Sequence, residues 1–124
     1  MSRIRRGYKI LWKADRGSII AGNTEGFHYR VYSDTEARVI YSVNEWVRPN
    51  KGHGPLAVFA QQGDVDSFLM MNCSRLQTKE IIVVECEFRK SSLSSLWCLR
   101  RKTKMRSWCL PDGTILASSV RCLQ

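Results

Sequence analysis

The stretch YSVNEWVRPNKGHGPLAVF, residues 41–59, decides how the chain is read. An apolar strand runs to Val43, and Asn44 and Glu45 then break its alternation. Asn enters the left-handed region more readily than other non-glycine residues, so Asn44 can turn the chain sharply. Trp46 and Val47 resume an extended segment that Pro49 ends, and PNKGHGP is a loop by composition. LAVFA, 56–60, is short and wholly apolar, as a fully buried strand would be. The unit reads as two paired strands joined by a basic loop carrying His53. That loop becomes a site only if the sheet folds it against residues 100–106.

Working outward, YKILW (8–12) sets Tyr8, Ile10 and Trp12 against Lys9 and Leu11, the pattern of a half-buried strand. SIIAG, FHYRVY and ARVIYSV read as further strands between polar and glycine turns. Beyond the opening stretch, Val65, Phe68, Leu69 and Asn72 share one face at helical spacing, with Asp64 as the N-cap, predicting a helix over 64–72. EIIVVECEF (80–88) is the strongest strand, SLWCLR and SWCL flank a basic turn, and GTILASSVRCL follows the Pro111-Asp112-Gly113 turn. The expectation is a single α+β domain over 1–124 with a basic N-terminal segment, 1–7. Its curved, mostly antiparallel sheet would hold about 7–8 short strands beside one main helix. Trp46, Phe59 and Phe68 are expected to share its core.

Composition narrows the function classes. With 44% hydrophobic and 25% charged residues the chain sits at globular averages, which argues against wholesale disorder. Its longest apolar run, Ile81–Val84, is far short of the about 20 residues that cross a bilayer. MSRIRRGYKI lacks the long apolar segment and cleavage site of a signal peptide. A soluble cytoplasmic protein without a membrane partner is expected. The five cysteines, Cys73, Cys86, Cys98, Cys109 and Cys122, are odd in number and include no Cys-x-x-Cys pair. They read as buried thiols in a reducing compartment, with no metal site and no cofactor.

The net charge of +9 comes from two segments. Residues 1–9 carry Arg3, Arg5, Arg6 and Lys9, and 100–106 carry Arg100, Arg101, Lys102, Lys104 and Arg106, neither with an acid. The rest holds 11 basic and 11 acidic residues. Concentrated charge of this kind attracts polyanions through counterion release. Trp97 and Trp108 flank the second cluster, where an indole can stack on a base while arginines hold phosphate. The plainer alternative is a solvated basic turn with both tryptophans in the core. The candidate anion-binding residues are these nine cations with Trp97, Trp108 and His53.

Catalytic chemistry finds no foothold. Neither His28 nor His53 stands in a nucleophile–base motif. KGHGP lacks the spacing of a phosphate-cradling loop. Glu85 and Glu87 alternate on one strand face, most simply the solvated face of an edge-exposed strand, so no catalytic residue is assigned.

The elements Y-x-V-x-x-W-V-x-P, GPLAVF, IIVVECEF and PDGTILASSV together resemble a group of small uncharacterised proteins of bacteriophage and prokaryotic genomes. In that group glycine often stands where Asn44 does, which implies a turn with positive φ. The likeness spans most of the chain and implies no catalytic residues. More remotely, the order strand, loop, GPLAVF, helix, IIVVECEF looks like the core of ADP-ribosyltransferase domains, implying at most a degenerate copy with a nucleotide-sized cleft. The leading expectation is a non-enzymatic, phage- or mobile-element-derived protein binding a nucleic acid or anionic nucleotide. The alternatives are a protein-interaction factor that blocks a host defence system and a degenerate transferase-like domain.

Overall fold

The computed structural model describes residues 3–17, 39–71, 81–93, 95–98, 103–106 and 113–124, with 53, 95–98 and 103–106 described by backbone alone. In chain order the elements are β1 (Ile4–Trp12), β2 (Trp46–Val47), β3 (His53–Gly54), β4 (Leu56–Phe59), α1 (Gln62–Met71), β5 (Ile81–Lys90), β6 (Ser95–Cys98), β7 (Thr103–Arg106) and β8 (Thr114–Cys122).

Four of these strands close on themselves. Around the ring the order is β8, β4, β1, β5 and back to β8, every pairing antiparallel. Val120 and Arg121 pair with β5 on one side and β2 on the other, as Ala117 pairs with Lys90 and Leu56. β2 and β4 are therefore two successive pieces along one edge of β8, and residues 48–55 leave that edge between them. The excursion contributes β3 to a separate three-stranded sheet of order β3-β6-β7.

Closure decides which residues are buried. Leu11, Leu56, Val58, Val84, Cys86, Phe88, Val120 and Cys122 fill the interior, with Val39 and Tyr41 packed among them. The opposite face of the same strands is also covered: α1 lays Val65 and Phe68 against Ile10, Phe59, Ile81 and Leu116. The Phe59 and Phe68 ring centroids stand 5.5 Å apart. Gly7 lies where two strands and a ring crowd together. A Cβ there would stand 2.7 Å from the Phe59 carbonyl oxygen and 2.9 Å from the Phe88 ring.

The expected α+β domain with one curved sheet and a main helix is overturned. The molecule is a small β-rich domain whose sheet closes into a four-stranded barrel carrying a fifth strand, with a single short helix among the described residues. Alternation within a strand reports its two faces, but it carries no information about whether the sheet ends meet. Several local boundaries move as well. The helix starts at Gln62, because the Gln61 carbonyl accepts from the Val65 N–H at 3.4 Å; Asp64 lies in the first turn instead of capping it. The described part of ARVIYSV, residues 39–43, contributes the isolated Gly17–Ile40 bridge, whereas SIIAG, FHYRVY, Asn72 and SWCL lie outside the described residues. The basic N-terminal segment is barrel strand from Ile4 onward. Glu85 and Glu87 stand on a strand paired along both edges, not at an edge. Asn44 has φ 63° and donates its N–H to the Cys122 carbonyl at 2.8 Å, the left-handed turn expected of it.

Candidate anion-binding groove

Two strands of the barrel overrun its apolar interior. The inward positions of β1 run Leu11, Lys9, Gly7 and then Arg5, with Arg3 continuing the series; those of β5 run Ile82, Val84, Cys86, Phe88 and then Lys90. Past Phe88 the inward positions are cations, because the barrel has ended and water is within reach. A register shift at Arg89/Lys90 sets Lys90 opposite Ala117, and the Ser91 N–H donates to the Leu116 carbonyl at 2.8 Å, tying this rim together.

The rim encloses an open groove of about 1040 Å³. Arg3, Arg5 and Lys90 line it with the hydroxyl-bearing Ser91, Ser92 and Ser118, and Leu93 and Ile115 give it apolar patches. No acid is among the described residues that line it. Arg3 and Arg5 are exposed and have no ion-pair partner among the described residues. Thr114, also on the groove, has a buried hydroxyl with no hydrogen-bond partner among the described residues. Buried polar atoms are ordinarily satisfied, so this oxygen is an unused donor and acceptor beside the cations.

Not every cation of the first basic segment belongs here. Arg6 points to the outer face and pairs with Glu85 at 3.1 Å. Lys9 is inside the barrel, only 2% exposed. Its Nζ donates to the Ala57 carbonyl at 2.6 Å and lies 4.6 Å from the centre of the Tyr41 ring. Burial lowers its pKa to about 8. Lys9 is therefore corrected from a ligand-binding residue to an internal one. The β1–β4 seam has one registered backbone pair, Tyr8–Phe59, and the Lys9 ammonium adds a side-chain bond across it.

The second basic segment is only partly described. β6 and β7 pair antiparallel, and Lys104 and Arg106 stand on β7 itself and not in a turn; residues 99–102 lie outside the described residues. Arg100, Arg101, Lys102 and Trp108 lie outside the described residues. Trp97 is the cross-strand partner of Lys104 and of Gly54, and His53 is the partner of Cys98. The PNKGHGP loop thus pairs with β6, which stands between it and residues 103–106 of β7, and not with the second basic segment itself. Arg106 pairs with Ser95, two residues after Leu93 of the groove, so its backbone stands at the groove end of the hairpin. Lys90, Ser91, Ser92, Thr114 and Ser118 were not singled out from the sequence. Their signal was that the inward series of IIVVECEFRK ends in Lys90, which a search for charge runs passes over.

Trp46 is the other correction. It is 37% exposed, outside the core that Phe59 and Phe68 share. The Arg89 and Arg121 guanidinium carbons each lie 5.2 Å from its ring centre. Arg121 also pairs with Glu87, so Trp46, Arg121, Glu87 and Arg6 form one cross-strand row on the outer face.

Among the described residues no cluster of His, Cys, Asp and Glu could hold a metal ion, and no helix is long and apolar enough to cross a membrane. No family model, curated protein or solved structure matches the chain.

Proposed function

We propose that the protein is a binding module for single-stranded nucleic acid, held by its phosphates in the groove at the Arg3–Arg5 rim. The observation that carries this reading is a lining with no acid among the described residues, in which Arg3 and Arg5 have no ion-pair partner among those residues and stand beside Lys90 and a row of hydroxyls. Guanidiniums and hydroxyls suit phosphate oxygens, and the apolar patches between them suit bases turned away from solvent. The volume lies just above the about 300–1,000 Å³ typical of small-molecule sites, which favours an extended ligand over one nucleotide. Phosphate contacts position a ligand without reading sequence, so little sequence preference is expected. The resemblance to phage and prokaryotic proteins supports a cytoplasmic setting in a host cell.

The test is fluorescence anisotropy with labelled DNA and RNA oligonucleotides of unrelated sequence, across a salt series. Wild type should bind them similarly, and affinity should fall steeply with salt. Replacing Arg3 and Arg5 with Ser should lower the log–log salt slope by about 1.4, at about 0.7 per phosphate contact for a single strand. The melting temperature should stay nearly unchanged, since both side chains are exposed. An unchanged affinity in the double variant overturns the reading. Binding of NAD with no oligonucleotide bound would favour the transferase-like alternative.

A further inference from the structure

Two thiols face each other across the seam that closes the barrel. Cys86 on β5 and Cys122 on β8 are direct cross-strand partners, both buried and both free. The next pair along the ladder makes a backbone bond, with the Leu123 N–H donating to the Glu85 carbonyl at 2.9 Å. Bonded and non-bonded positions alternate in an antiparallel ladder, so Cys86–Cys122 occupies a non-hydrogen-bonded position, where Cα atoms stand about 4.5 Å apart and side chains are closest. That separation lies within the about 4.4–6.8 Å that a disulfide accepts. Both side chains point to the barrel interior, where the Lys9 ammonium acts on both.

We propose that Cys86 and Cys122 form a thiol–disulfide site that reacts with small disulfides of the oxidised glutathione class. One cysteine thiolate attacks a sulfur of the small disulfide, expels one small thiolate and leaves a mixed disulfide. The second cysteine thiolate attacks the protein sulfur of that mixed bond, expels the other small thiolate and closes Cys86–Cys122. Two electrons pass from the cysteines to the small disulfide, and the two cysteine protons end on the two released thiols. Lys9 offsets part of what burial costs a thiolate on either sulfur.

Access is through local opening of the end of β8. Leu123 and Gln124 are held by the bond to Glu85 and by Arg16, which donates to the Gln124 carbonyl; Gln124 Oε1 also accepts from the Glu85 N–H at 3.2 Å. Few bonds must open to bring Cys122 to solvent, and such openings cost less than global unfolding. While the seam is closed, burial pushes the Cys86 thiol up to about 12 and raises Cys122, so exchange waits for opening. The product locks the pairing that closes the ring.

The experiment uses the wild-type chain, incubated without denaturant in oxidised glutathione, acid-quenched, alkylated and digested with trypsin. Cleavage after Lys79, Arg89 and Arg121 places Cys86 in peptide 80–89 and Cys122 in peptide 122–124. The expected result is a dominant 80–89/122–124 linked species that dithiothreitol reverses and Cys122→Ala abolishes. Recovery of both cysteines alkylated, as separate glutathione adducts, or linked instead to Cys73, Cys98 or Cys109 overturns the proposal.

Discussion

Replacing Lys9 with Met tests the closed interior most directly. The two side chains are similar in length and girth, so the change removes a charge with little change in packing. Lowering the lysine from 10.5 to about 8 corresponds to roughly 3 kcal/mol against the charged form. Against that stands the lost bond to the Ala57 carbonyl, costing about 1–3 kcal/mol. The two nearly offset at pH 7, where the variant should unfold in denaturant no earlier than wild type. The pH dependence decides the matter. Between about 8 and 10.5 the unfolded chain holds a proton that the folded chain has released, so rising pH favours the folded state. From pH 7 to 9 wild type should gain about 1.3 kcal/mol relative to the variant. The Cys86 and Cys122 thiols and the Tyr41 hydroxyl, all raised by burial, pull the other way at higher pH. They are common to both proteins and largely cancel in the difference. A difference that stays flat from pH 7 to 9, with the variant less stable throughout, would refute the reasoning and place the ammonium in water.

Gly7→Ala should cost at least about 1–3 kcal/mol, because its Cβ would meet the Phe59 carbonyl, part of the backbone, and not only a movable ring. A denaturant midpoint equal to wild type would show that the β1–β4 seam is looser than described. Phe59→Ala should cost about 3–5 kcal/mol, whereas Trp46→Ala, at a site 37% exposed, should cost clearly less. Equal losses in calorimetry would return Trp46 to the core.

Features carried by neighbouring residues were legible in the sequence. The Asn44 turn, the apolar face of Val65 and Phe68 and the β5 strand all appear where local chemistry puts them. Lys9 was misread because alternation separates two faces of a strand and identifies the polar one as wet. In a closed sheet the inward face is dry whatever its sequence, and Lys9 stands on that face. Trp46 was misread for a related reason: its neighbours along the chain are apolar, but its neighbours across the sheet are Arg121 and, diagonally, Arg89. The groove was half legible. Arg3 and Arg5 stood out as charge, but Lys90 and the hydroxyls join them only through the register of β1, β5 and β8, which pairs residues far apart along the chain, such as Arg5 with Phe88 and Lys90 with Ala117.

The ring order also governs what a ribosome releases. β2, β4 and β5 all take β8 as a partner, and β8 is synthesised after every one of them. At about 5–20 residues per second, roughly 2–6 seconds separate the emergence of Lys90 from that of Cys122. Throughout that interval the nascent chain presents unsatisfied strand edges rich in Ile, Val and Phe. A nascent segment of this kind is a natural client for a chaperone at the tunnel exit, and translation stalled before β8 would leave an open β4-β1-β5 sheet whose two unpaired edges make the product aggregation-prone.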